Sequence, residues 1–357
     1  MAQGDKIIIP AMAAGFFSTL GSISKGVGNT LNFPEGMANV GGNGFGCLVP
    51  AITNWDPALA GNHDGTVAAM ALGDNVYVYL VRQATGTAKW LASKNSTVPT
   101  GYDAGNSRKI GGFHFGRVRG VANRYITAYV PTIGIVPNSV WDLDHRPTCD
   151  PTGMAEVVPG GIWVDIYLNS EGAGIWPENV PVSAFGSTII RNTIYSISDF
   201  HQLISNAGKR LPTVDEFRRY AEGAPGGLDA SNDQAWSATT NTGPCTAGYV
   251  AKALSQYNIV DAVGNVWDWI DSHHDIGDVG GSVTPYVWDV AVVNVGKDAA
   301  IPRGSVYHAA WRAVVGGGVW NNGVLDGACC LNSNAFPWAA NGSVGLRGVC
   351  GPKKHDA

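Results

Sequence analysis

The residues best suited to chemistry in this 357-residue chain are few and scattered. Asp268, Asp271, His273, His274 and Asp275 stand together in W-D-W-I-D-S-H-H-D, where carboxylate oxygens and imidazole nitrogens could hold a divalent cation. The run reads equally as a solvated turn. Asp142, Asp144, His145 and Asp150 form a second polar group, but Pro147 and Pro151 make that segment irregular, and it reads as a boundary loop. No Ser-His-Asp order stands out, and the long spacings among His114, His201 and His308 assemble no catalytic constellation. The six cysteines, Cys47, Cys149, Cys245, Cys329, Cys330 and Cys350, are sparse for a disulfide scaffold and contain no CxxC pair of zinc spacing. Cys329 and Cys330 are adjacent, with no nearby His or Lys to depress a thiol pKa, and read as buried apolar thiols.

Composition narrows the function classes further. A net charge of -5 without a basic cluster offers no footprint for nucleic acid. Charged residues are 14% of the chain, against about 25% in typical domains, and the 48 glycines follow no collagen period. Twelve Trp, twelve Tyr and ten Phe supply enough apolar surface to offset the entropy of ordering, so the chain is expected to be globular and rich in strands and loops. No apolar run reaches the roughly 18 residues that span a bilayer, because Pro10 and Gly15 interrupt the stretch from Ile7 to Leu20. That stretch also lacks a basic n-region and a small-residue cleavage site, so neither membrane insertion nor a signal peptide is expected.

The elements that must position any site are legible in places. Residues 1 to about 65 read as loops and short strands. Asn75–Arg82 is β-branched and aromatic behind the turn signal Gly73-Asp74-Asn75, and Lys109–Phe115 and Arg124–Val130 are likewise of strand length. Together they predict a β-rich N-terminal region that ends near the irregular segment from Trp141 to Pro151. Gly161–Leu168 reads as a buried strand. Ile197, Phe200, Leu203 and Ile204 share one helical face behind a Ser196/Ser198 cap, with Gly208 as the stop. Thr213 and Glu216 form a capping box ahead of Phe217 and Tyr220, predicting a second helix to Glu222. Beyond Gly223 no helical period remains.

Four ordered motifs follow: G-K-R-L-P-T-V-D-E-F-R-R-Y-A (Gly208–Ala221), G-N-V-W-D-W (Gly264–Trp269), V-G-G-G-V-W (Val315–Trp320) and G-L-R-G-V-C (Gly345–Cys350). The series resembles the C-type lectin fold in its formylglycine-generating-enzyme-like branch. The resemblance narrows to the receptor-binding variable proteins diversified by retroelements, phage tropism determinants among them. Gly101-Tyr102 with Arg108–Phe115, Trp141-Asp142 with Arg146-Pro147, Asp150-Pro151 and Gly153-Met154, and Trp163 with Asp165–Leu168 carry this narrower likeness. The expected fold class is therefore α+β: a β-rich N-terminal region for assembly over 1–145, and a C-type lectin-fold ligand-binding domain over 146–357. Trp267, Trp269 and Trp320 are expected to fill a small core, with the glycines at 316 to 318 letting the backbone turn closely beside it.

In that family, surface positions with Asn template codons are randomised at adenines. Aligned without gaps, the resemblance carries these positions onto Val319, Asn321, Gly323, Leu325, Asn332, Asn334, Ala335, Ala339, Asn341, Ser343 and Val344, within a variable segment of about 315–350. Adenine substitution in AAC or AAT never yields Trp, Met, Gln, Glu or Lys, and all eleven positions obey. Without the resemblance, they would read as an ordinary Gly/Asn-rich surface loop. Positions 319, 321, 323 and 325, and 339, 341 and 343, alternate, so in extended backbone they would share one face, with Trp320, Leu331, Pro337 and Arg347 holding the frame.

The resemblance implies a non-enzymatic protein that binds a protein or glycan receptor on a target cell. It further implies a homotrimer on a virion tail fibre or a prophage-encoded protein, with no nucleic-acid partner and no required cofactor. Related enzymes hold a structural calcium near the counterpart of G-N-V-W-D-W, which makes Asn265 and Asp268 its candidate ligands here. The reading from another class is a formylglycine-generating-enzyme-like oxidase, since fold never fixes function. Those enzymes bind copper through a spaced cysteine pair, and the adjacent Cys329-Cys330 does not reproduce that spacing.

Overall fold

Val76, Val78 and Leu80 alternate with Tyr77, Tyr79 and Val81 along one strand, and the two sets enter separate apolar clusters on opposite faces of a sheet. That strand lies in the first of two compact units of the computed structural model, formed by Met1–Val118, Ile133–Arg146 and Lys353–Ala357; the second comprises Arg119–Thr132 and Pro147–Pro352. The structure describes residues 13–42, 44–83, 87–120, 129–275, 287–289, 306–308, 311–340 and 342–353. Over these residues the secondary structure is predominantly β, with two α-helices.

The first unit opens with six short strands, β1 (Phe17–Thr19), β2 (Ser24–Lys25), β3 (Leu31–Phe33), β4 (Gly36–Asn39), β5 (Gly46–Val49) and β6 (Ile52–Trp55). They form two small sheets, β1-β4-β5 and β2-β3-β6. The larger sheet is built from β7 (Asp74–Arg82), β8 (Ala88–Ser93), β9 (Ser107–Val118), β10 (Thr132–Ile135) and β11 (Trp141–Asp142), in the order β10-β9-β7-β8 with β11 against β9. Gly111 and Gly112 let β11 pass closely: a Cβ on Gly111 would fall 2.3 Å from the Trp141 carbonyl oxygen, and one on Gly112 2.9 Å from the Trp141 ring. Phe33 stacks on Trp90 at 4.0 Å and meets Trp55 edge-on at 5.2 Å, so aromatic packing anchors this core. Arg108 donates to the carbonyls of Gly15, Phe16 and Asn39, pinning the N-terminal strands. The strand expected over Arg124–Val130 falls mostly outside the described residues.

The second unit contains β12 (Met154–Glu156), β13 (Trp163–Asp165), β14 (Asn169–Ser170) and β15 (Val182–Ser183), followed by helices α1 (Ile197–Asn206) and α2 (Val214–Ala221). Then come β16 (Trp267–Asp275), β17 (Val287–Asp289), β18 (Val306–His308), β19 (Trp311–Gly316), β20 (Leu331–Ala335), β21 (Val344–Gly345) and β22 (Val349–Cys350). Both helices start where their caps predict. The Asp199 carboxylate accepts from the Ser196 N–H and hydroxyl, and Glu216 accepts from the Thr213 N–H at 2.9 Å. Gly208, at φ +68°, ends the first in the left-handed region. The strand expected over Gly161–Leu168 is shorter, because beyond Asp165 the chain bonds irregularly: Ile166 N–H to Gly153, and Asn169 N–H to Leu346. The principal sheet runs β20-β19-β16-β21, with β21 parallel to β16 and a bulge between Ile270 and His273.

Candidate functional site

The segment that carries the candidate positions hangs on one buried arginine. Arg347 is fully buried, and its guanidinium donates to Asp268 Oδ2 (2.9 Å) and to the carbonyls of Asp165, Ile166, Val260 and Asp261 at 2.8–3.2 Å. Tyr220 donates its hydroxyl to the same Asp268 oxygen at 2.7 Å, so α2, β16 and the C-terminal segment meet at one carboxylate, with β13 held to the same guanidinium through the Asp165 carbonyl. Beside it Lys209 pairs with Asp165 at 2.6 Å. The glycines at the start of the segment are required by this packing. A Cβ on Gly316 would sit 2.8 Å from the Phe217 ring, and Gly317 and Gly318 take φ +94° and +102°.

After those glycines the chain does not extend. Val319–Asn322 turns, Gly323–Leu325 forms a single 3-10 turn, and a further turn over 327–330 leads into β20. The expected single face across 319, 321, 323 and 325 is therefore not formed. The loop's backbone bonds go inward instead: Val319 N–H to Asp326 Oδ1 (3.2 Å), Trp320 N–H to Asn265 O (3.1 Å) and Gly323 N–H to Ser237 O (2.9 Å). Asp326 is buried, and burial pushes its carboxyl up to about 7.

The structure sorts the eleven candidate positions into three groups. Asn321, Leu325, Asn332 and Asn334 are exposed, Leu325 by 72%. Ala335, Ala339 and Ser343 are half-buried. Val319, Gly323 and Val344 are buried: Val319 and Val344 pack in the core with Trp267 and Trp269, and a Cβ on Gly323 would fall 2.1 Å from Asp229 Oδ1. Asn341 lies outside the described residues. On β20, Asn332, Ser333 and Asn334 are all exposed, and among the described strands β20 is the edge of its sheet.

Asn265 and Asp268, the calcium candidates, have other partners. Asn265 sits at φ +64°, accepts from the Cys245 N–H at 3.1 Å and offers its own carbonyl to Trp320. Asp268 is neutralised by Arg347. Among the described residues no group of three His, Cys, Asp or Glu converges as metal ligands. In the W-D-W-I-D-S-H-H-D run, Asp271 pairs with His201 at 3.6 Å and His273 stacks on Trp311 at 5.0 Å, so these side chains take different partners along a strand rather than gathering in a turn. Cys329 is exposed and Cys330 half-buried, a correction to the expectation of two buried thiols: the turn over 327–330 carries them to the surface. Partial burial still pushes the Cys330 thiol up, away from the reactive thiolate.

The family described as the Mtd second domain matches residues 48–142. The tail fiber receptor-binding protein of Bordetella phage BPP-1 is 30% identical over 305 residues, covering 80% of this chain and 73% of that protein. The chain belongs to the major tropism determinant family. Among solved structures, the M1 variant of the Major Tropism Determinant aligns with a TM-score of 0.70 and 25% identity, and the U1 variant with 0.66 and 24%. Each alignment covers 96% of this chain and 86% of the other. No helix among the described residues is long and apolar enough to cross a membrane.

This tropism-determinant chain carries surface residues that the sequence reading missed. Trp311 stacks with His273 and approaches Trp338 at 6.0 Å; Trp338 lies 5.4 Å from Phe336; and Arg312 sits 3.8 Å over the Phe336 ring while donating to Asn334 Oδ1 at 3.0 Å. Val324, 62% exposed, adjoins Leu325. The run Phe336-Pro337-Trp338 between two candidate positions was the available signal, since aromatics beside exposed Asn suit a contact surface.

Proposed function

We propose that this chain is a receptor-binding protein of a phage tail fibre, virion-borne or prophage-encoded, that acts by binding and not by catalysis. Its second unit would be the C-type lectin-fold domain of residues 146–357, and its ligand a protein or glycan on a target cell. Asn321, Leu325, Asn332 and Asn334 would make the contact, with retroelement mutagenesis at their codons altering specificity, and with Ala335, Ala339 and Ser343 at the margin. The observation that carries this reading is the separation of roles within one segment. Exposed side chains that no core needs alternate with Gly316–Gly318, Trp320 and Arg347, which the core cannot lose. The similarity to a tail fiber receptor-binding protein supports the same reading.

Assembly as a homotrimer through the region 1–145 belongs to the proposal, and it would add avidity to weak single contacts. Exposed Leu20 and Leu48 beside Met37 and Pro50 in the first unit support it. The test is adsorption of the purified protein to intact host cells. Replacing Leu325, Asn332 and Asn334 together by Ser, Ala and Ala is expected to weaken adsorption at least about tenfold, while the melting temperature moves by less than about 2 °C. Parallel loss of folding and adsorption would contradict the proposal.

A further inference from the structure

Two cysteines separated by most of the second unit's sequence are neighbours in space. Pro147 and Pro352 pair antiparallel. Lacking N–H groups, they occupy a position without mutual hydrogen bonds, and the flanking bonds run from Lys353 N–H to Arg146 O (2.8 Å) and from Thr148 N–H to Gly351 O (3.0 Å). The bridge is a single pair, and just beyond it both cysteines flank Gly208: a Cβ built on Gly208 would lie 3.5 Å from Cys149 Cβ, and the Gly208 carbonyl is 3.8 Å from Cys350 Sγ.

The two thiols act on each other, their proximity pushing the Cys149 thiol up and drawing Cys350 down. Cys350 Sγ also lies 3.0 Å from Thr148 Oγ1 and 3.8 Å from the Gly208 carbonyl, and Cys149 Sγ lies 3.4 Å from Met154 Sδ. Cys350 is buried and Cys149 half-buried. The neighbouring Cys149 thiol, with Thr148, holds the Cys350 sulfur below the ordinary thiol range, to about 5.

We propose that Cys149 and Cys350 form a disulfide under oxidising conditions, a covalent staple joining the beginning and end of the second unit. With a small-molecule disulfide RSSR as oxidant, Cys350 sulfur, the more thiolate-like of the two, attacks one sulfur of the reagent, giving a mixed disulfide and releasing RSH. Cys149 sulfur then attacks the Cys350 sulfur, the Cys350–SR bond breaks, the Cys149–Cys350 bond forms, and a second RSH leaves. The two thiol protons end on the two RSH molecules, and RSSR is the species reduced. The staple closes a loop of roughly 200 residues, the long-loop case in which a cross-link most restricts the unfolded chain. This inference stands apart from the receptor reading, since it needs only the geometry of the pair.

The experiment incubates the full-length protein with oxidised glutathione under native conditions, blocks remaining thiols with an alkylating reagent at low pH, and maps peptides by mass spectrometry. The expected result is a Cys149–Cys350 cross-linked peptide two hydrogens lighter than its reduced parts. With it should come a melting temperature that falls by roughly 5–15 °C when reductant is added. In Cys149→Ser the reductant-sensitive shift should vanish; if that variant does not fold, the wild-type peptide map and melting pair decide alone. Recovery of both residues alkylated, a stable glutathione adduct on either cysteine, or a disulfide confined to Cys329 and Cys330 would overturn the proposal.

Discussion

Arg347 Nε and Asp268 Oδ2 lie 2.9 Å apart with both side chains sealed from solvent, directly behind the segment that carries the exposed candidate positions. Desolvating two charges is offset here by the Coulombic contact, by Tyr220 on the same oxygen and by four carbonyls on the remaining guanidinium N–H groups. A lysine can supply the charge but not the planar fork, so Arg347→Lys strands several carbonyls and leaves Asp268 badly partnered. The expected destabilisation is about 3–5 kcal/mol in chemical denaturation. A change below about 1 kcal/mol would show that the pair does not hold the frame.

Gly318 and Gly323 test the frame from the backbone side. Both take positive φ, and a Cβ would meet Asp326 Oδ1 at 1.8 Å and Asp229 Oδ1 at 2.1 Å respectively. Gly318→Ala and Gly323→Ala should each lose about 2 kcal/mol or more of stability, whereas Asn332→Ser on the exposed edge strand should lose less than about 0.5 kcal/mol. Comparing the three melting curves checks the contrast, and equal effects would erase the distinction between loop core and loop surface.

Asp326 gives this loop a pH signature. Burial raises its folded-state pKa from 3.8 to about 7, so the folded protein holds a proton that the unfolded chain releases near pH 4. The associated stability is complete below about pH 4 and is lost as pH rises through about 7. Asp326→Asn removes the buried charge while keeping an acceptor for the Val319 N–H. It should stabilise the protein by about 1–3 kcal/mol at pH 8 and by little at pH 4. Melting temperatures across that range check it; a variant that is less stable at pH 8 would reverse the sign.

The sequence made local structure legible wherever local chemistry decided it. Ser196 with Asp199 and Thr213 with Glu216 fix their helix starts through bonds three residues apart, and the β-branched run of β7 needed only turn signals to place it. The loop over 319–325 was misread as extended because its course is set by Asp326, Ser237 and Asn265, whose bonds to it are tertiary. For the same reason Val319, Gly323 and Val344 read as surface but pack inside. Proximities such as Trp311 with Trp338, or Cys149 with Cys350, arise from tertiary packing of irregular segments against strands, which no spacing rule reveals.

The central claim is that exposed positions of this segment vary while its frame does not, and sequencing the 3′ end of the gene across its source population tests it most directly. Counting substitutions codon by codon from Val315 to Cys350 should show them concentrated at Asn321, Leu325, Asn332 and Asn334, confined to residues reachable by adenine change, with Gly318, Trp320 and Arg347 invariant. Substitutions spread evenly along the segment, or as frequent at Trp320 and Arg347 as at Asn332, would contradict the account.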